Sequence, residues 1–138
     1  MSGKFFLDTN ILLYAQDAGA PDKQSRSRDL IAHLADSGDG VISTQVMQEF
    51  FVAAIRKLSV APLVAKAELK TLLTVFEIVQ VSPALIHEAI DCSVMNTLSF
   101  WDALILAAAS SAGCATLYTE DLNHGQIILG VKLQNPFV

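Results

Sequence analysis

The sequence predicts an α/β fold, a three-layer α/β/α sandwich around a mainly parallel central sheet. Two observations carry this. Short apolar runs alternate with longer segments of helical period, which is the signature of βα units. Hydrophobic residues make up 52% of the chain and charged residues 17%, enough apolar surface to cover a sheet on both faces. The length of 138 residues fits one domain spanning residues 1–138, with no repeat, low-complexity tract or linker to divide it.

Each element has its own warrant. Lys4 to Leu7 is an apolar run that stops at Asp8 and reads as a buried strand. Asn10 to Gln16 reads as a helix with Thr9 or Asn10 as its cap, broken by Gly19, Ala20 and Pro21. Leu30, Ile31 and Leu34 give Ser25 to Leu34 helical spacing, which Ser37-Gly38 ends. Val41 to Ser43 is a short strand. Thr44 is placed to cap a helix reaching about Leu58, with Val46, Met47, Phe50, Ala54 and Leu58 on one side. Pro62 opens a helix over about 62–75. Glu77 to Val81 alternates as a strand does. Ser82 and Pro83 open a helix to about Met95. Ser99 caps a very apolar helix from Phe100 to Ala112, which Gly113 stops. Ala115 to Thr119 is a fourth strand, Asp121 to Gly125 a loop, and Lys132 to Asn135 a last short strand before Pro136.

Charge and composition exclude several classes. Nine Lys and Arg stand against fourteen Asp and Glu, for a net charge of −5. A broad basic grip on nucleic acid is excluded, so any nucleic-acid chemistry must be local or must recruit cations. The longest apolar run, Ala103 to Ala109, is far shorter than the ~20 residues of a transmembrane helix. Met1-Ser2-Gly3-Lys4, with Asp8 close behind, does not read as a signal peptide. The expectation is a cytoplasmic protein without membrane association. Cys92 and Cys114 lack neighbouring ligand residues and are expected as buried free thiols, not zinc ligands.

In such folds the site lies at the carboxyl ends of the strands. Asp8 follows the first strand and Asp121 the fourth; either alone also fits a cap or a turn. Asp102 is the only charge between Phe100 and Ala109. A carboxylate buried there needs a partner; alternatively it is a first-turn acid facing the helix N-terminus behind Ser99. Glu49 shares a helix face with Val46 and Ala53, or else sits at a rim and reaches water.

No Lys or Arg lies between Lys70 and Lys132, so Asp102 and Asp121 have no countercharge nearby in sequence. Either a distant cation folds onto them or a hard divalent ion neutralises them. Mg²⁺ takes a few carboxylates together with waters and phosphate oxygens, and Mn²⁺ accepts similar ligands. One or two ions held by Asp8, Glu49, Asp102 and Asp121 would acidify a bound water and steady a phosphodiester during in-line attack.

The segments that carry these acids resemble the PIN-domain ribonucleases, in particular the VapC-like toxins of type II toxin–antitoxin pairs. The resemblance spans nearly the whole chain: Phe6 to Tyr14, Ile42 to Phe50, Ser99 to Ile105, Leu117 to Gly125 and the terminal Asn135-Pro136-Phe137. Each motif alone is weak; their joint order and spacing is specific. The resemblance implies a metal-dependent endoribonuclease acting on RNA. It implies Asp8, Glu49, Asp102 and Asp121 as the acidic set, with Asp8 and Asp102 as direct ligands of Mg²⁺ or Mn²⁺. Thr9 and Thr119 would orient ligands or water, and Asn10 would hold the first loop. Glu120 would point away. The resemblance also implies a homodimer and a cognate antitoxin that blocks the site, carrying a basic side chain into the acidic pocket. Leu58, Val60, Leu63 and Val64 form either a contact surface or core.

Rival readings are weaker on the residues. A non-catalytic PIN-like module that only holds RNA or protein would suit a chain lacking one of the four acids, and none is missing. A phosphoacceptor domain would want an acidic pair after the first strand, where Leu7 precedes Asp8. The EF-hand pattern fails after Asp8-Thr9-Asn10, which lacks the glycine and distal glutamate. A metal-free, histidine-catalysed ribonuclease would have to use His124, three residues after Asp121; His33 and His87 fall in helices away from the acids. Substrate contacts are expected on one basic face drawn from Lys23, Arg26, Arg28, Arg56 and Lys57.

Overall fold

A computed structural model describes residues 3–138; Met1 and Ser2, on which the reading of the N-terminus partly rests, lie outside the described residues. The elements follow as β1 (Lys4–Leu7), α1 (Thr9–Tyr14), α2 (Pro21–Ser37), β2 (Gly40–Ser43), α3 (Thr44–Leu58), α4 (Pro62–Val75), β3 (Glu77–Val79), α5 (Pro83–Asn96), α6 (Phe100–Ser111), β4 (Cys114–Tyr118), β5 (Ile127–Ile128) and β6 (Val131–Gln134). They form one sheet of order β3-β2-β1-β4-β6-β5. β3, β2, β1, β4 and β6 pair in parallel, and only β5 is antiparallel to its neighbour. The sheet is therefore mainly parallel with helices flanking it, as the alternating pattern predicts.

The strand order positions the site. The chain moves outward from β1 to β2 to β3, then returns across the sheet to β4 on the other side of β1. Parallel crossovers are right-handed as a rule, so an outward pair of connections and a returning one are expected on opposite faces. The reversal falls between β1 and β4. Side chains just past these two strands, Asp8 and Thr119 to Asp121, thus meet at the switch point, where α/β sheets leave a crevice.

The core is built as the sequence expects. Phe6, Leu7, Ile42, Leu117 and Leu133 from the strands pack with Phe50, Leu34 and Leu106 from the helices, all fully buried. α6 is buried continuously from Ala103 to Ala109, which explains why that stretch carries no charge. Phe76 closes over the start of β2: a Cβ on Gly40 would lie 2.7 Å from its ring, so only glycine fits. Cys92 and Cys114 are free and buried, and burial pushes the Cys114 thiol up to about 12. Among the described residues no single helix is long and apolar enough to cross a membrane.

Several boundaries differ from expectation for identifiable reasons. The α1 cap is neither Thr9 nor Asn10 but Asp8, whose carboxylate accepts the Thr9 amide. α2 begins at Pro21, four residues before the expected start, because proline suits the first turn of a helix, where its missing N–H costs nothing. Ser43, not Thr44, caps α3 through the Val46 amide, while the Thr44 hydroxyl accepts the Val81 amide at 3.1 Å. β3 stops at Val79 rather than Val81. Ser82 and Ser99 cap α5 and α6 as expected. β5 is an element the sequence did not disclose. Of the expected apolar face, Leu58 and Val60 are half-buried, while Leu63 and Val64 are 78% and 52% exposed.

Candidate active site

Asp8 ends β1 and starts α1, and this double duty fixes its carboxylate. Its Oδ1 accepts the Thr9 amide at 2.7 Å, and its Oδ2 accepts the Thr119 hydroxyl at 2.7 Å. Its own amide donates to the Tyr118 carbonyl at 3.1 Å, extending the β1–β4 ladder. The side chain is buried. Burial raises its pKa from 3.8 to about 6; the Thr119 and Thr9 bonds oppose that rise, and the nearby charges of Asp121 and Glu49 add to it.

Glu49 reaches the same place from α3. Its Oε1 accepts the Thr9 hydroxyl at 2.7 Å, so Thr9 ties Glu49 to the Asp8 turn. Its Oε2 lies 3.4 Å from Gln45 Nε2, a long contact. That Nε2 also donates to the Trp101 carbonyl at 3.1 Å. Gln45 is buried, and its Oε1 has no partner among the described residues.

Asp121 follows β4 by way of Thr119. Its amide donates to Thr119 Oγ1 at 3.2 Å, and its Oδ2 accepts Asn10 Nδ2 at 2.5 Å, so the Asn10 side chain ties the loop after β4 to α1 rather than holding the first loop. Partial burial, then the charges of Glu120 and Asp102, raise the Asp121 pKa; Asn10 and Lys57 oppose this. Asp102 lies in the first turn of α6, where its amide donates to Ser99 Oγ at 3.1 Å. It is half-buried rather than largely buried, because α6 is covered only from Ala103 onward and its first turn opens on the cleft.

The four acids line one open cleft of about 650 Å³, together with Thr9, Asn10, Gln45, Gln48, Arg56, Lys57 and Trp101. The two ion pairs among the described residues, Lys4–Glu77 and Lys23–Glu120, leave all four out. No three His, Cys, Asp or Glu side chains among the described residues stand close enough together to hold an ion as they are. Burial chiefly raises the pKa values of Asp8 and Asp121, and the neighbouring carboxylates add to the rise. The donor set nevertheless fits a hard divalent cation. It is all oxygen, none of its four carboxylates is in an ion pair among the described residues, and it includes one buried carboxylate. Mg²⁺ needs only one or two direct carboxylates beside its waters.

The basic residues divide. Arg56 and Lys57 line the cleft. Lys23 is held 2.8 Å from Glu120, Arg26 Nε donates to the Pro136 carbonyl at 3.1 Å and Arg28 Nε to the Ala15 carbonyl at 2.8 Å. Glu120 points away from the cleft, towards Lys23 and the Tyr14 hydroxyl. His124 Nδ1 accepts the Asn135 amide at 3.0 Å, a loop-holding role. Gln45 and Trp101 escaped sequence reasoning. Gln45 looks like one more polar residue in the first turn of a helix, and Trp101 like part of the apolar run of α6.

Solved structures share this architecture. VapC20 of Mycobacterium tuberculosis, described as a sarcin–ricin loop cleaving toxin, is 24% identical with a TM-score of 0.71, over 86% of this chain and 90% of that one. DNA-bound VapBC of Salmonella typhimurium is 19% identical with a TM-score of 0.70, over 97% of this chain and 98% of that one. A toxin–antitoxin complex from Klebsiella pneumoniae is 20% identical with a TM-score of 0.68, over 96% of this chain and 98% of that one. At these identities the likeness is one of fold. No functionally curated protein matches the sequence. The PIN domain family, however, matches residues 5–127, a span that runs from β1 through all four acids, and the chain therefore belongs to that family.

Proposed function

We propose that the chain is a metal-dependent endoribonuclease that hydrolyses RNA phosphodiester bonds and serves as the toxin of a toxin–antitoxin pair. One observation carries this reading: four carboxylates, from the β1–α1 junction, α3, α6 and the loop after β4, line one cleft at the switch point of a PIN domain, and no ion pair among the described residues neutralises them. Asp8, Asp102, Asp121 and Glu49 would hold Mg²⁺ or Mn²⁺, with Asp8 and Asp102 the direct ligands. Bound there, the ion would supply Lewis acidity to the phosphodiester and a more acidic water for in-line attack. The chain's own part is preorganisation. Thr119 and the Thr9 amide hold the Asp8 carboxylate by one edge, Thr9 Oγ1 holds Glu49, and Asn10 holds Asp121. Arg56 and Lys57 bring positive charge to the substrate phosphates.

The partners follow from the same reading. VapBC complexes share the fold, which supports a cognate antitoxin that covers the acidic cleft. Exposed apolar side chains, including Leu63 and Val64 on α4 and Val94 and Met95 on α5, provide surface for that contact and for a homodimer. We place the protein in the cytoplasm, as one domain over residues 1–138.

The test is cleavage of a mixed structured RNA with Mg²⁺ or Mn²⁺ by the wild type, Asp8→Asn and Asp102→Asn. The reading holds if the wild type cuts, chelation stops it, and both variants fold yet do not cut. If all three behave alike, the acids are structural and a non-catalytic RNA- or protein-binding module takes its place.

A further inference from the structure

We propose that Trp101 forms a nucleobase-stacking subsite on the rim of the acidic cleft, which takes an unpaired base beside the phosphodiester to be cut. This rests on the nuclease reading above and adds how substrate is gripped.

An acidic cleft in a chain of net charge −5 repels the phosphates it would have to approach. Grip must come from the few groups that do not. Trp101 is 61% exposed, although it lies in the first turn of α6, whose residues Ala103 to Ala109 are all buried. Large aromatic surface left in water at a cleft marks contact with a ligand, since burying it is favourable. Trp101 is also held in place. The buried Gln45 side chain fixes its carbonyl at 3.1 Å, and Phe100 braces the indole edge-on, with centroids 5.1 Å apart and planes at 77°. A rigid platform loses little entropy when something stacks on it.

The rest of the cleft orients the ligand. One face of α3 lines it, from Gln45 beside Trp101, past Glu49, to Arg56. Arg56 lies eleven positions after Gln45, about 16 Å of helix. A strand laid along α3 therefore meets an aromatic face at one end, then Glu49 with the Asp8 turn bonded to it through Thr9, and the cations Arg56 and Lys57 at the other. Gln48, exposed beside Gln45, offers its amide to a base edge. This sequence of aromatic face, hydrolytic centre and phosphate-binding cations suits a nucleotide strand better than a protein segment. It also requires the base to be unpaired, because a base in a duplex has both faces stacked.

Trp101 is the only tryptophan, so fluorescence excited at the red edge, where the two tyrosines do not absorb, reports on this residue alone. The binding probe is a short RNA of mixed sequence, free or annealed to its complement, titrated into Asp8→Asn protein so that nothing is cut. The subsite predicts saturable quenching by the unpaired strand and little by the duplex. In cleavage assays Trp101→Ala should raise KM about tenfold with kcat nearly unchanged, and Trp101→Phe should restore most of the loss, since a stacked base contributes on the order of 1–3 kcal/mol. Wild-type cutting with an unchanged KM in Trp101→Ala overturns the subsite alone. So does a Trp101→Ala protein that loses a protein partner but binds RNA normally. Quenching by unpaired RNA in a wild type that cuts nothing overturns the nuclease reading and leaves the subsite standing.

Discussion

The Thr119 hydroxyl donates to Oδ2 of Asp8 over 2.7 Å, and both residues are buried just past the ends of neighbouring parallel strands. The bond favours the charged carboxylate, which burial disfavours. Thr119→Val keeps the shape and removes the donor. Asp8 then rises above its value of about 6, and the Asp121 amide loses its acceptor. We expect a loss of about 1–3 kcal/mol near neutral pH, shrinking in acid where Asp8 is protonated, and activity lowered about tenfold or more. Thr119→Ser should recover both. Melting curves of wild type and variant at two pH values, with cleavage rates, test this; an equal loss relative to wild type at both pH values would contradict it.

Asp8 should weaken the fold whenever it is charged and no cation is bound. Its folded pKa of about 6 lies above the ordinary 3.8, so the folded state holds more protons than the unfolded one between these values. Stability therefore falls as pH rises through that window, by about 3 kcal/mol in all, and stays lowered above about 6. Asp8→Asn removes the buried charge. In chelator it should be more stable than the wild type near pH 7.5 and lose that advantage near pH 4. Adding Mg²⁺ should stabilise the wild type and not the variant. Urea unfolding under the three conditions checks it, and a variant less stable than wild type at neutral pH would refute the account.

The frame of the site was readable in the chain because it rests on local rules. Asp8 and Asp121 follow apolar strands directly, and strand ends in parallel sheets are where such folds place their chemistry. What stayed hidden depends on long-range contact or on unusual turn residues. β5 reaches β6 through Leu129 and Gly130, both with positive φ, 52° and 77°. Tight hairpins usually mark that geometry with Asn-Gly, and leucine carries no such signal. The half-burial of Asp102 depends on where the cleft opens, which the apolar run of α6 does not encode. Gln45 meets Trp101 across 56 residues of chain, and no spacing rule connects them. The division of the basic residues was hidden for the same reason: three of the five bond to Glu120 and to the carbonyls of Pro136 and Ala15, partners far off in the chain or set by the fold.

Arg56 and Lys57 are the cations left to meet substrate, and their effect should be electrostatic. Each alanine substitution should raise KM and lower the slope of log affinity against log salt by about one for each phosphate no longer neutralised. Lys23→Ala is the control, because its ammonium already serves Glu120 at 2.8 Å; its salt slope should match the wild type. Binding of a short RNA to Asp8→Asn protein across a salt series measures all three. If Lys23→Ala changed the slope as much as Lys57→Ala, the division of the basic residues would be wrong.

Gln45 offers a way to separate support of the site from support of the fold. Gln45→Met keeps the volume but removes the bond to the Trp101 carbonyl and the long contact to Glu49. It also removes the buried Oε1 that has no partner. A hydrogen bond removed costs about 0.5–1.5 kcal/mol and a buried unpaired acceptor about 1–3, so the two changes nearly offset and the variant should melt close to the wild type. Its activity should still fall about tenfold, because Glu49 and the first turn of α6 lose their shared anchor. Gln45→Glu is the sharper case. It sets a second buried carboxylate against Glu49 and a carbonyl, so it should destabilise by several kcal/mol near neutral pH and recover in acid as the new group is protonated. Thermal melts and kcat/KM for both variants decide the matter: a Gln45→Met protein that melts far below the wild type would make Gln45 a fold residue, and one that cuts at the wild-type rate would deny it any hold on the acids.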